Sequence, residues 1–323
     1  MSAFGARNTL DVYFVDVEGG QATLFVTPAR ESLLVDAGWP GFENRDAIRI
    51  EEAMKKAGVK QIDYFWMTHY HRDHVGGAAQ LAARVPIKTF VDHGENVETG
   101  KGADEMNEIY KSAMAKGKRL TLKPGDKLPL KGVDVITVAG NGQKITKALP
   151  GGGQQNPFCS TSEQRKPDPS ENAHSLGFVM TFGKFKIVDL GDLTWNKELE
   201  LVCPTNLLGT VDVYLTTHHG MDMSGPAQIV HALAPRVAIM NNGAKKGGAV
   251  PAWRVVKSSP GLEDFWQVHH SVAGGAEHNT AADQIANLEE NCTGHGLMLS
   301  ANKNGGFEVT NLRNGFKKAY KAR

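Results

Sequence analysis

The sequence predicts an α/β protein in which two mixed β-sheets pack face to face, with helices on both outer faces. Three observations predict it. Short apolar β segments come early and close together, at residues 10–15, 22–27 and 32–36. Amphipathic stretches then alternate with further strands, a pattern that lays helices onto a sheet. The second half of the chain repeats this order without any residue-level repeat, and so supplies a second sheet with its own helices. The expected architecture is a four-layer αββα sandwich, a single domain over residues 1–323 with a surface loop at 140–171.

The elements follow in order. Residues 44–57 read as an amphipathic helix, with Ile48, Ile50 and Met54 among its apolar positions and Gly58 as its stop. Residues 61–67 are a strand, 75–84 a helix, 87–92 a strand and 104–115 a helix. Strands at 119–122 and 133–139 flank the turn Pro124-Gly125-Asp126. From 140 to 171 the chain is rich in Gly, Pro, Gln and Ser, and the run Pro150-Gly151-Gly152-Gly153 disfavours regular structure. It reads as a long loop near the site opening or as a disordered insertion. Residues 178–182 and 185–190 form a hairpin around Gly183-Lys184. A helix at 193–199, a strand at 211–216, a helix at 226–233 and strands at 237–241 and 265–269 follow. Residues 297–301 and 307–311 make a final strand pair.

Composition narrows the class. The chain has 323 residues, 41% hydrophobic and 22% charged, as in soluble globular proteins. A net charge of +1 gives no general electrostatic footprint for nucleic acid, although a local basic groove is compatible with it. No apolar run reaches the roughly 18–20 residues of a membrane span. The opening residues, Met1 to Arg7, lack the apolar core of a signal peptide. The expected location is therefore the cytoplasm, or an exported mature form that has lost its leader. Cys159, Cys203 and Cys292 are an odd set without paired spacing, so three small buried side chains are expected rather than a disulfide framework.

The chemistry is concentrated in Thr68-His69-Tyr70-His71-Arg72-Asp73-His74. Neutral imidazole nitrogens and a carboxylate oxygen suit a divalent transition metal such as zinc. In an extended segment His69 and His71 lie on one face and can reach one metal together. Where a helix starts near Asp73, Asp73 and His74 point about 100° apart and can serve a second metal. Gly76 and Gly77 then permit close approach of the backbone.

The pattern His69-x-His71-x-Asp73-His74 resembles the signature of the metallo-β-lactamase superfamily. The resemblance covers most of the chain. The runs Phe14 to Ala22, Leu33 to Gly38, Gly191-Asp192-Leu193 and His218-His219-Gly220 are similar to those of the subgroup that contains the hydrolase-like domain of bacterial DNA-uptake competence channels. The resemblance implies the αββα sandwich, with metals at one edge of the sheets. It also implies that His174 joins His69 and His71 on the first metal, and that Asp192 bridges both. One of His218 and His219 then joins Asp73 and His74 on the second metal. The position of His219 before Gly220 favours it as the ligand, and leaves His218 beside it or in contact with substrate. Asp189 is a local competitor of Asp192, which alternatively caps the following helix. Asp36 and Asp92 are candidates to orient ligand imidazoles, and His93 a pocket residue. His269, His270 and His278 have no ligand spacing and are expected at the surface.

The implied enzyme is a metal-dependent hydrolase. Two zinc ions about 3.5–4 Å apart would hold a bridging hydroxide, with iron or manganese as other candidate metals. Asp73 and His218 are the expected catalytic side chains, Asp73 orienting the nucleophile or passing on its proton. The subgroup implies phosphodiester cleavage, on nucleic acid or a smaller diester. The chain departs from the subgroup at Gly243 to Pro251, which has no His where the subgroup tends to carry Gly-His-Pro. Lys245 and Lys246 either replace that charge or are solvated. The alternative is a carbonyl hydrolase acting on a lactone, thioester or β-lactam. A metal-binding scaffold or an iron-dependent oxidoreductase of the same fold is a third reading, although the diiron oxidoreductases carry Glu where one early His stands here.

Overall fold

The computed structural model describes residues 8–323. The expectation about the opening residues lies outside them. Two nine-stranded sheets dominate, the second having Gln143–Lys144 paired with Asp134–Gly140 beside its main path. The first sheet runs Lys317–Tyr320, Phe307–Asn311, Leu297–Asn302, Thr9–Phe14, Thr23–Val26, Ser32–Val35, Ile62–Trp66, Ile87–Asp92 and Lys118–Thr121. The second runs Ile285–Asn287, Asp264–His269, Val237–Met240, Val213–Leu215, Phe185–Asp189, Gly177–Phe182, Asp134–Gly140 and Lys127–Leu128. Both are mixed: Ser32–Val35 pairs antiparallel with Thr23–Val26 and parallel with Ile62–Trp66.

The layers follow from alternation along the strands. Leu10, Val12 and Phe14 point into the core between the sheets, where they meet Phe178, Met180, Val213 and Trp266 of the second sheet. Tyr13 and Val15 point the other way, under the helices Arg45–Ala57 and Lys101–Met114. The second sheet is covered on its outer face by Trp195–Val202, Ala227–Leu233 and Val250–Lys257. This is the αββα sandwich. Trp66 ties its halves together: its ring lies 5.0 Å from that of Phe178, and its indole N–H donates to the Leu176 carbonyl at 2.8 Å.

Several elements depart from expectation. Helix Arg45–Ala57 buries Ala47, Ile50, Met54 and Ala57, while Ile48 is turned to solvent. The helix expected at 75–84 is two short ones, Arg72–Val75 and Ala78–Ala82. They break at Gly76-Gly77, where a Cβ on Gly77 would lie 2.1 Å from the Ala37 carbonyl oxygen. The final strand pair joins the first sheet, with Leu297–Asn302 antiparallel to Thr9–Phe14.

The cysteine expectation is corrected. Cys159 and Cys203 form a disulfide with Cα atoms 5.7 Å apart, and Cys292 is half-buried rather than buried. The turn Pro157–Thr161, inside the 140–171 stretch, docks against the end of Trp195–Val202, which brings the two sulfurs together across 44 residues of chain. That stretch also holds Gln154–Gln155, paired with Thr205–Asn206. Among the described residues no helix is long and apolar enough to cross a membrane.

Candidate metal centre

The site lies where the strands of both sheets end. Ile62–Trp66 runs out through Thr68 to His71, with a bend at Tyr70, and helix Arg72–Val75 begins directly after. This puts Asp73 and His74 in its first turn, as the spacing predicts. Asp36, just past strand Ser32–Val35, accepts from the Thr68 backbone N–H at 2.8 Å and from its hydroxyl at 2.7 Å. Its Oδ2 also lies 2.7 Å from His74 Nδ1. Asp36 is therefore the carboxylate that orients an imidazole. Asp92 is not: it binds Arg119, Tyr110 and Thr121 and touches no imidazole, which corrects the expectation for it.

From the second sheet, Asp192 follows strand Phe185–Asp189 and His218-His219 follow Val213–Leu215. Gly191, at φ +56°, lies against Thr68, and a Cβ there would come within 2.8 Å of the Thr68 Cβ. That close approach brings Asp192 to the first-sheet motif. Thr194, not Asp192, occupies the N-cap position of the next helix. Both His218 and His219 adopt left-handed backbone conformations, a costly one for residues with a side chain.

Asp73, His74, Asp192 and His219 offer ligand atoms that all lie within 4.8 Å of one another, and all four are buried. His74 Nε2 stands 3.2 Å from Asp73 Oδ2, from Asp192 Oδ2 and from His219 Nε2. His219 Nε2 is 3.2 Å from Asp73 Oδ2 and 3.4 Å from Asp192 Oδ1. When His74 is neutral and donates its Nδ1–H to Asp36, its Nε2 presents a lone pair to the carboxylate oxygens. A buried set of acceptors facing acceptors calls for a cation between them.

The remaining expected ligands lie outside this group of four. The His69 ring lies 4.1 Å from that of His74 and 4.6 Å from that of His71. His69 Nε2 is buried without a hydrogen-bond partner. His71 Nε2 is 3.0 Å from Glu98 Oε1. His174 is partly exposed, 3.3 Å from Asn141 Oδ1, with its ring 6.2 Å from that of His93. His218 bridges Asp192 and Ser224, each at 3.2 Å. Asp189 is directed away, accepting from Gln21 and the Gly191 backbone.

Electrostatics agree with a cation site. Burial alone would lower the His74 pKa, but the charges of Asp192, Asp73 and Asp36 override it and hold the group well above its ordinary value. Burial alone would raise Asp192, but His218, His74 and His219 hold it well below. Asp73 is likewise held well below, against its burial, by His74, His219 and Lys246. Protons thus occupy the role that a metal would take. Burial, with His74 and His71 nearby, keeps His69 neutral and ready to ligate.

The sequence names both Lys245 and Lys246 as candidates, but not Glu171. Lys246 pairs with Asp73 and sits 5.1 Å over the Trp39 ring, whereas Lys245 pairs with Glu290 at the surface. Glu171 accepts from the Tyr70 and Val97 backbones and lies 3.0 Å from buried His93. Its place three residues before His174 was the available signal. His269, expected at the surface, is fully buried against Asp16.

Residues 15–155 match the family model of the metallo-beta-lactamase superfamily. That span contains His69 to His74 and ends before His174, Asp192 and His219. No curated protein matches the chain. Among solved structures, the metallo-beta-lactamase fold protein YhfI from Bacillus subtilis aligns at 11% identity and TM-score 0.48, over 80% of this chain and 95% of that one. CmlA, a diiron beta-hydroxylase from Streptomyces venezuelae, aligns at 15% and 0.41, over 77% of this chain and 47% of that one, so this chain spans about half its length. MEM-A1, a subclass B3 metallo-beta-lactamase from a soil metagenome library, aligns at 13% and 0.42, over 68% and 78%.

Proposed function

We propose that this chain is a hydrolase of the metallo-β-lactamase superfamily, with a dinuclear zinc centre and phosphodiester substrates. One observation carries the metal reading: four buried groups aim acceptor atoms at one another across 3.2–3.4 Å, with Asp36 already orienting His74. The four gathered residues fit a metal ion, and the resemblance extends the set to a second one. Asp73, His74, Asp192 and His219 would hold one metal, and His69, with His71 and His174, the other, Asp192 being shared. When bound, the pair would supply Lewis acidity and lower the pKa of a water towards neutrality.

The chain's own residues do the rest. Thr68 and Asp36 fix the His74 tautomer. Lys246, paired with Asp73 and stacked over Trp39 at the surface side of the centre, can turn to an anionic substrate oxygen. This cation, where the resembled subgroup carries a His, supports an anionic diester. His218 is neutral at pH 7, its pKa lowered by burial although Asp192 pulls it up, and it can accept or return a proton next to Asp192. The deciding experiment pairs metal analysis of purified protein with a substrate panel of bis-p-nitrophenyl phosphate, a chromogenic cephalosporin and lactones. Zinc-dependent turnover of the diester alone is expected. Turnover of only the carbonyl substrates overturns the diester reading, and full activity of a His69→Ala, His71→Ala variant overturns the metal mechanism.

A further inference from the structure

A second constellation lies apart from the first. Asp16 and Glu18 follow strand Thr9–Phe14 of the first sheet, and His269 ends strand Asp264–His269 of the second. Cys292 sits in the connection that leaves the second sheet after Ile285–Asn287 and enters the first at Leu297–Asn302. Asp16 and His269 are buried, Glu18 and Cys292 partly so, and one ligand atom of each lies within 4.8 Å of the others.

The spacing is informative. Zinc bonds of about 2.0–2.3 Å to oxygen, nitrogen and sulfur set ligand-to-ligand edges of roughly 3.3–3.7 Å in a tetrahedron. Here Cys292 Sγ is 3.2 Å from Asp16 Oδ2, 3.4 Å from Glu18 Oε1 and 3.8 Å from His269 Nε2. His269 Nε2 is 3.4 Å from Glu18 Oε2 and 2.8 Å from Asp16 Oδ1. These distances draw on both oxygens of each carboxylate, so sulfur, imidazole nitrogen and two carboxylates gather at the separations a zinc ion bridges, each carboxylate needing to present only one oxygen.

We infer that Asp16, Glu18, His269 and Cys292 form a second, structural zinc site that pins the crossover between the two sheets. Arg49 binds the same oxygens that face Cys292, with one nitrogen 2.9 Å from Asp16 Oδ2 and 3.0 Å from Glu18 Oε1, so a zinc ion would take the oxygens turned to His269. Two carboxylates against one guanidinium leave a negative charge uncompensated in a buried place. Zinc with Cys292 as thiolate brings the cluster to neutrality, and the thiol proton leaves to solvent. A proton on His269 balances the same charge, but leaves Cys292 a thiol. Four protein ligands and no open position make the site structural rather than catalytic. It braces the loop whose Gln21 N–H donates to the Asp73 carbonyl at 3.1 Å.

Sulfur separates this site from the first, whose candidate ligands are all His and Asp. The other two cysteines are joined in the disulfide. Metal-free full-length protein is titrated with cobalt(II), and Cys292 alkylation by iodoacetamide is timed with and without zinc. A thiolate-to-cobalt charge-transfer band is expected, lost in Cys292→Ser, with alkylation slowed more than about tenfold by zinc and restored by chelator. Cobalt binding without that band, together with alkylation indifferent to zinc, overturns the site and leaves a proton as the counter-charge. Should Cys292→Ser not fold, the wild-type band and alkylation rates decide alone.

Discussion

His74 shows how much one side chain can carry. Its Nδ1 is fixed by Asp36 at 2.7 Å and its Nε2 faces two carboxylates and a second imidazole. Asp36→Asn keeps the shape but removes the charge that sets the tautomer. We expect it to lower metal affinity about 10–100-fold in a chelator-competition titration; unchanged affinity would show that His74 needs no such partner. Lys246 acts on substrate instead. Lys246→Ala is expected to lower kcat/KM for an anionic diester by about 10–100-fold, the worth of a charge-assisted hydrogen bond, and to leave neutral lactones unaffected. An equal loss on both would place Lys246 in the metal centre's integrity instead. The six-residue run from His69 to His74 was legible because no packing role explains such density. Asp16 with His269, and Glu171 with His93, were not, because each pair joins residues more than 70 positions apart.

At the scale of elements, strand positions were read well where apolar residues alternate, and helix limits less well. Helix Val250–Lys257 was not anticipated, and its Pro251 sits in the first turn, where it costs no hydrogen bond. Helix Trp195–Val202 carries Glu198 into the core, where burial pushes its carboxyl up to about 8 despite hydrogen bonds from Thr217 and Gly225. In the fold Glu198 keeps a proton that the unfolded chain releases above pH 4.5, so stability falls as pH rises from there to about 8. Glu198→Gln should flatten that part of the pH dependence in urea denaturation; an unchanged slope would show that the carboxyl ionises in the fold. The Cys159–Cys203 disulfide ties the end of the same helix to the turn Pro157–Thr161. Replacing both cysteines by Ala should cost about 2–4 kcal/mol of unfolding free energy, read from the urea midpoint, and no shift would mean that the turn is held by its other contacts alone.

Across the whole molecule, the αββα order follows from two rounds of strands and helices. Which strands are neighbours does not, because period-two alternation reports a strand's faces and not its partners. The return of Leu297–Asn302 to the first sheet is such a case, and it places Cys292 on the crossover. The same architecture gathers Asp73 and His74 from one sheet, and Asp192 and His219 from the other, at a shared edge. The central claim is that this edge holds two metals, and anomalous diffraction at the zinc edge from crystals grown with zinc tests it most directly. At this edge, and apart from any peak at Cys292, two peaks about 3.5–4 Å apart, one among Asp73, His74, Asp192 and His219 and the other beside His69, are the predicted result; a zinc-loaded crystal lacking either of them would contradict the account.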